Sequence, residues 1–124
     1  MKVLSKMGNC ENIVQFYELI KSKNNHYFVY EYCNGGTLQQ KIKEREQMSE
    51  NDVMDLLKQI INAFKILNKY KVMHRDLKPE NILFHNDVLK LGDFGLCKGL
   101  TPEEDMAKTM LGTPIYMAPE ILKN

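Results

Sequence analysis

Apolar positions recur along this chain at two different periods, and the changes of period divide it into strands and helices. Near the start, Val3, Leu4 and Met7 share one face and Gly8-Asn9 supplies a stop, so residues 1–11 read as a helix end followed by a turn. Ile13-Val14-Gln15-Phe16-Tyr17 reads as a strand, Lys21 to Asn25 as a polar turn, and His26 to Tyr32 as the partner strand. Asn34-Gly35-Gly36 breaks the pattern. Thr37 with Gln40 three residues later has capping-box spacing and predicts a short helix with Leu38 and Ile42 on one face. Ser49-Glu50-Asn51-Asp52 opens a second helix, in which Val53, Leu56, Leu57, Ile60, Ile61, Phe64 and Leu67 form one apolar stripe. That stripe predicts core packing. Ile82-Leu83-Phe84 and Val88-Leu89-Lys90-Leu91 flank His85-Asn86-Asp87 as a small hairpin.

At 124 residues the chain is at most one ordinary domain of soluble globular composition. A net charge of +1 from 17 basic and 16 acidic side chains gives no long-range field for nucleic acid or an anionic membrane. No stretch approaches the roughly 18 apolar residues of a membrane span, so neither nucleic-acid binding nor membrane insertion is expected. The first residues, Met1-Lys2-Val3-Leu4-Ser5-Lys6, contain no apolar run fit for a signal peptide. Cys10, Cys33 and Cys97 are odd in number and not at metal-ligand spacing. Free thiols in a reducing compartment, cytoplasm or nucleus, follow. Charged clusters such as Lys41, Lys43, Glu44 and Arg45 read as a solvated helix face.

The most specific run is His74-Arg75-Asp76-Leu77-Lys78-Pro79-Glu80-Asn81. It sets an acid, a lysine and an amide at fixed offsets in one loop, as phosphoryl transfer to an alcohol requires. Asp76 can orient an attacking hydroxyl and accept its proton, Lys78 can lie against a moving phosphoryl group, and Asn81 can offer an amide oxygen to magnesium. Asp93-Phe94-Gly95 follows, and further on Ala118-Pro119-Glu120. Singly, Asp76 reads as a helix cap, Asp93 as a turn residue and Pro119 as a loop breaker. As an ordered set they resemble the H-R-D-x-x-x-x-N, D-F-G and A-P-E motifs of eukaryotic protein kinases.

That resemblance implies an α+β, partial protein-kinase-like fold. Residues 1–30 would be a small-lobe remnant, 31–36 the hinge, and 37–124 the large lobe through the activation segment. It implies ATP and Mg²⁺ as cofactors, with catalytic roles for Asp76, Lys78, Asn81 and Thr113 and metal binding by Asn81 and Asp93. In the hinge, Glu31-Tyr32-Cys33-Asn34-Gly35-Gly36, adenine would be bound through backbone groups of Glu31 and Cys33. Tyr30 falls at the gatekeeper position and Leu83 at the purine floor. Leu4, Phe16, His74 and Phe94 fall at the regulatory-spine positions, where ordinary core packing accounts for them equally well.

Lys78-Pro79 and Thr113-Pro114 resemble the serine/threonine branch, whose partners would be ATP and protein substrates bearing Ser or Thr. The Thr113 hydroxyl can hydrogen-bond both Asp76 and Lys78. Arg75 resembles the type controlled by activation-loop phosphorylation, by an upstream kinase or by autophosphorylation. Thr109 is the implied site, with Arg75 and Lys98 as receivers of the phosphate. Thr101 is the alternative, although Thr101-Pro102 reads better as a helix start. The segments 31–36 and 112–120 resemble the autophagy-initiating kinases, and the calmodulin-regulated kinases carry similar ones. No Gly-rich loop, ATP-anchoring lysine or later large-lobe helix is present, so a fragment is expected, inactive and poorly folded on its own. The alternative is a pseudokinase-like or truncated module that binds a protein partner or nucleotide without catalysis.

Overall fold

The computed structural model describes residues 10–44, 47–99 and 112–123. The helix end expected before residue 10, with Leu4, and the activation-segment residues Thr101 and Thr109 lie outside the described residues.

Two antiparallel strands, β1 (Phe16–Lys21) and β2 (His26–Tyr30), form a hairpin. Its turn is closed by the Ser22 N–H donating to the Asn25 carbonyl at 2.9 Å and the Asn25 N–H donating to Ser22 Oγ at 3.2 Å. The first strand begins later than the alternation predicts, and the second ends two residues before Tyr32. Ile13 and Val14 are extended but belong elsewhere. They run beside the later strand Val88–Leu91, where the Val14 N–H donates to the Leu91 carbonyl at 2.9 Å and Ile13 bridges Leu91. Both are buried there. Alternation records that a segment is extended and half-buried; it does not say which neighbour it pairs with.

Helix α1 (Leu38–Glu44) starts at the expected capping box. The Thr37 N–H donates to Gln40 Oε1 at 2.8 Å and the Gln40 N–H donates to Thr37 Oγ1 at 3.2 Å. Leu38 packs on the core, whereas Ile42, expected beside it, is exposed. Helix α2 (Glu50–Lys69) is capped by Ser49, whose Oγ accepts the Asp52 N–H at 3.1 Å. Glu50 and Asp52 in its first turn complement the helix dipole. It ends at Tyr70, and Lys71 then turns with φ 55°.

The apolar stripe of α2 divides into two rows. Leu56, Ile60 and Leu67, with Ala63 between them, face the core, and Ala63 and Leu67 are fully buried. Val53, Leu57, Ile61 and Phe64 form the adjacent row and are 36–46% exposed. The expectation that the whole stripe packs inward is therefore corrected. A stripe this wide serves two surfaces, and among the described residues only one of them is covered.

The core lies between α2 and a second hairpin, β4 (Ile82–His85) with β5 (Val88–Leu91). Its two-residue turn is Asn86-Asp87, with φ of 47° and 65°. Positive φ at both positions matches the right-handed twist of the strands, and Asn and Asp tolerate it. Ile82, Phe84, Leu89 and Leu91 point inward. Two side-chain amides, the buried Asn12 and the half-buried Gln59, fix the register of β5. Asn12 Nδ2 donates to the Leu89 carbonyl at 3.0 Å and Gln59 Oε1 accepts the Leu89 N–H at 2.8 Å. A short ladder, β3 (Val72–Met73) with β6 (Lys98–Gly99), and helix α3 (Pro119–Leu122) complete the described elements. The mixture of small sheets and helices is the expected α+β class.

Candidate active site

The loop after β3 begins with a buried imidazole. His74 Nε2–H donates to the Gly92 carbonyl at 2.8 Å, and Nδ1 accepts the Asp76 N–H at 3.3 Å. One ring nitrogen donates and the other accepts, so the ring is neutral with its proton on Nε2. Burial holds the His74 pKa below its ordinary value, against the opposing pull of the Gly92 bond and of Asp76 and Asp93. Between these residues, Arg75 takes the left-handed conformation, φ 67°. Its Nε donates to the Leu96 carbonyl at 2.6 Å.

Asp76 is buried, and its carboxylate is surrounded by the residues expected to work with it. Lys78 Nζ lies 2.9 Å from Oδ2. Asn81 Nδ2 donates to the same oxygen at 2.9 Å and to the Asp76 carbonyl at 2.8 Å. The Thr113 hydroxyl donates to Oδ1 at 2.8 Å and accepts from Lys78 Nζ at 2.8 Å. Burial alone would push the Asp76 carboxyl up. The hydrogen bonds from Lys78, Thr113 and Asn81 outweigh it and hold the pKa at about 2. The same pairing with Asp76 pushes the Lys78 ammonium up.

Local backbone geometry makes this closure possible. Pro79 opens a single 3₁₀ turn, Pro79–Asn81, which carries the Asn81 amide back to Asp76. Thr113 comes from far along the chain, and its approach depends on Gly112. That residue has φ 130°, and a Cβ there would sit 2.6 Å from the Arg75 carbonyl oxygen. Only glycine lets the segment pass so close over the loop. The sequence motif contains Gly112, but nothing in the sequence states this contact.

Asp93 sits just past β5, with φ 53° and Oδ1 accepting the Gly95 N–H at 3.3 Å. The Gly92 N–H donates to the Asn81 carbonyl at 2.9 Å, which ties the residue before Asp93 to Asn81. Both Asn81 N–H bonds go to Asp76, so its Oδ1 is the group left for a cation. Asn81 Oδ1 and the Asp93 carboxylate are hard oxygen donors suited to magnesium, which takes few protein ligands and completes its shell with phosphate and water. The residues present fit such an ion. Phe94 is buried with its ring 5.1 Å from His74, edge to face, so two of the four spine positions meet. Phe16 packs edge-on against Tyr30 at 5.4 Å. Burial and, next, the Asp93 charge push the Tyr30 phenol up.

In segment 31–36, the expected hinge, the Glu31 N–H donates to the Gln15 carbonyl at 2.8 Å. Among the described residues neither the Glu31 carbonyl nor the Cys33 N–H has a hydrogen-bond partner. Those are the two groups expected to face adenine. Leu83, the expected purine floor, is half-buried on β4. One contact was not foreseen: Lys90 Nζ pairs with Glu31 Oε1 at 2.8 Å, with both side chains largely buried. A lysine between two buried leucines on a strand is the only sequence signal for it, and it names no partner.

The β3–β6 ladder sets Lys98 opposite Met73, two residues before Arg75. Cys97, next to Lys98, donates to the His74 carbonyl at 3.5 Å, and burial pushes its thiol up to about 12. All three cysteines are free thiols. Phe64, Leu67, Met73, Leu77, Tyr116 and Ile121 line an apolar cleft of 520 Å³ that reaches Asp76 and Thr113 and shares no lining residue with segment 31–36.

Against known proteins, the protein kinase domain matches residues 1–124. Serine/threonine-protein kinase ATG1a of Arabidopsis thaliana is 40% identical over 91% of this chain and 18% of the relative. Calcium-dependent protein kinase 6 of Plasmodium berghei is 41% identical over 90% of the chain and 8% of the relative. Serine/threonine-protein kinase atg1 of Dictyostelium discoideum is 35% identical over 98% and 19%. The chain thus spans less than a fifth of the length of these relatives. Relatives of several kinase types match this chain at similar identity, so the matches do not single out a subfamily. The chain belongs to the protein kinase domain family.

Proposed function

We propose that the protein bearing this protein kinase domain is an ATP- and magnesium-dependent serine/threonine kinase, transferring the γ-phosphoryl group to Ser or Thr hydroxyls of protein substrates. The observation that carries the reading is the closed set Asp76–Lys78–Asn81–Thr113, with every polar contact between 2.8 and 2.9 Å. A catalytic loop relieved of its chemistry would have no need to assemble it.

Asp76 Oδ1, backed by a single neutral hydroxyl, is the oxygen that orients the substrate alcohol. A carboxyl at about 2 is a weak base. Its main contribution is therefore orientation and fixed negative charge, with the proton accepted late, as the alcohol becomes acidic. Lys78 lies beside the line of transfer and is kept protonated by Asp76. Thr113 spans both groups and forms the floor for a short side chain. Asn81 and Asp93 would hold magnesium, which neutralises charge on the phosphates. Glu31 and Cys33 would take the adenine edge over Leu83. Thr109 phosphate, received by Arg75 and Lys98, would order the segment that carries Thr113.

The exposed row Val53-Leu57-Ile61-Phe64 favours a second reading, a module that binds a protein partner without catalysis. One variant of the whole protein separates the two. Asp76→Asn should lower transfer to a Ser/Thr peptide by roughly 10²- to 10⁴-fold while leaving magnesium-ATP binding in place. Turnover close to wild type would sink the enzymatic assignment.

A further inference from the structure

The segment that would bind adenine is fastened at both ends to the hairpin that leads to Asp93. At its front, Lys90 Nζ on β5 pairs with Glu31 Oε1 at 2.8 Å, and Glu31 Oε2 accepts the Gln15 N–H at 3.0 Å. At its back, Asn34 and Asn86 exchange two bonds. Asn34 Nδ2 donates to Asn86 Oδ1 at 2.9 Å, and the Asn86 N–H donates to Asn34 Oδ1 at 3.0 Å. Gly35 then lies on β4, its N–H donating to the Phe84 carbonyl at 2.8 Å, so close that a Cβ would stand 2.8 Å from Phe84 Cβ. Cys33 falls between these fastenings.

Two features argue that this is more than packing. Lys90 and Glu31 are 11% and 14% exposed, and a buried ion pair costs desolvation that apolar side chains would avoid. What an ion pair supplies instead is register. Lys90 is also the cross-strand partner of Leu83, so one face of the hairpin carries both the purine-floor side chain and the cation that holds the hinge. The chain leaves this strand at Leu91 and reaches Asp93 two residues later.

We propose that Lys90 and Asn34 are positioning residues for nucleotide recognition. They hold the Glu31 carbonyl and Cys33 N–H in register with Leu83 and Asp93, so the base and phosphate ends of one nucleotide are gauged by a single hairpin. The proposal rests on the ATP-binding reading above. Neither side chain touches the nucleotide itself; both act through the hinge backbone.

The test uses the whole protein carrying Lys90→Met, Lys90→Arg or Asn34→Ala. The readouts are kcat, KM for ATP and for peptide, the melting temperature, and calorimetric affinity for adenosine, which probes the base end alone. Lys90→Met should raise KM for ATP and the adenosine Kd by about tenfold, with kcat and peptide KM held within about twofold. Lys90→Arg should restore most of the loss. Asn34→Ala, at an exposed position that will fold, should shift both constants in the same direction by roughly threefold. Wild-type adenosine affinity in Asn34→Ala and in any folded Lys90→Met overturns the proposal. So does a uniform fall in kcat and affinity that follows melting temperature and that arginine does not rescue. A wild-type protein without adenosine binding or transfer overturns the nucleotide reading itself, whereas an active wild type with unshifted variants overturns this inference alone.

Discussion

Replacing Thr113 with valine removes one hydroxyl and almost no volume, so it isolates what that hydroxyl does. In the structure it donates to Asp76 Oδ1 at 2.8 Å and accepts from Lys78 Nζ at 2.8 Å. Oδ2 retains Lys78 and Asn81, so the carboxylate stays in place but Oδ1 loses its hydrogen-bond donor from the protein. A hydrogen bond to a charged group is worth about 1.5–3 kcal/mol. Taking about 2 kcal/mol of this as lost orientation in the transition state gives roughly a thirtyfold fall in kcat/KM. Thr113→Ser keeps the hydroxyl and should stay near wild type. Losing a partner also lets the Asp76 pKa rise from about 2 toward its ordinary value of 3.8, still far below neutrality. The deficit must therefore be the same at every pH from 6 upward. Steady-state kinetics of the whole protein with a serine peptide across that range reads both quantities. Equal rates for the valine and serine variants, or a deficit that disappears as pH rises, would refute the reasoning.

Melting temperature of the whole protein against pH should fall in two ranges. The share held by neutral His74, whose pKa is lowered by burial, is present above its ordinary 6.5 and is lost as pH drops below it. The share held by Asp76 is present above 3.8 and is lost as pH falls toward about 2. Gly112→Ala, forced to adopt φ 130° with a Cβ against Arg75, should cost about 1–3 kcal/mol locally and lower kcat/KM without altering adenosine affinity, checked by kinetics and calorimetry. Thr109→Ala should leave the protein in its low-activity state after incubation with ATP or an activating kinase, while peptide mapping of the active wild type finds phosphate on Thr109.

Much of the site was legible because its chemistry is local in sequence. Asp76, Lys78 and Asn81 lie within one short loop, and the proline-opened turn between Lys78 and Asn81 brings them together. The two helix starts were equally plain, since the Thr37–Gln40 and Ser49–Asp52 caps are three-residue patterns with a fixed geometry. What the sequence hid was partnership at a distance. Ile13 and Val14 look like hairpin residues until Leu91 takes them. Lys90 looks like a solvated strand position until Glu31 arrives from 59 residues away. The α2 stripe shows the same limit, because hydrophobic periodicity marks faces that need cover and does not say which of them the neighbouring elements supply.

Backbone conformation was the other hidden layer, and it links the imidazole to the carboxylate. Arg75 and Asp93 both hold positive φ, at 67° and 53°. For arginine, which has no short polar side chain to compensate locally, this costs about 1–2 kcal/mol. The cost is met across the bend itself, where His74 Nδ1 accepts the Asp76 N–H and so bridges the residues on either side of Arg75. The bend turns Asp76 inward to Lys78 and Thr113 while sending the Arg75 guanidinium the other way, to the Leu96 carbonyl. One strained residue thus separates the Asp76 carboxylate from the Arg75 guanidinium, the group proposed to receive a phosphate, yet keeps them adjacent in sequence. Protonating His74 would turn its Nδ1 from acceptor to donor and remove that bridge. The imidazole must therefore remain neutral for the loop to keep its shape, which is why its burial matters to the chemistry as well as to the core.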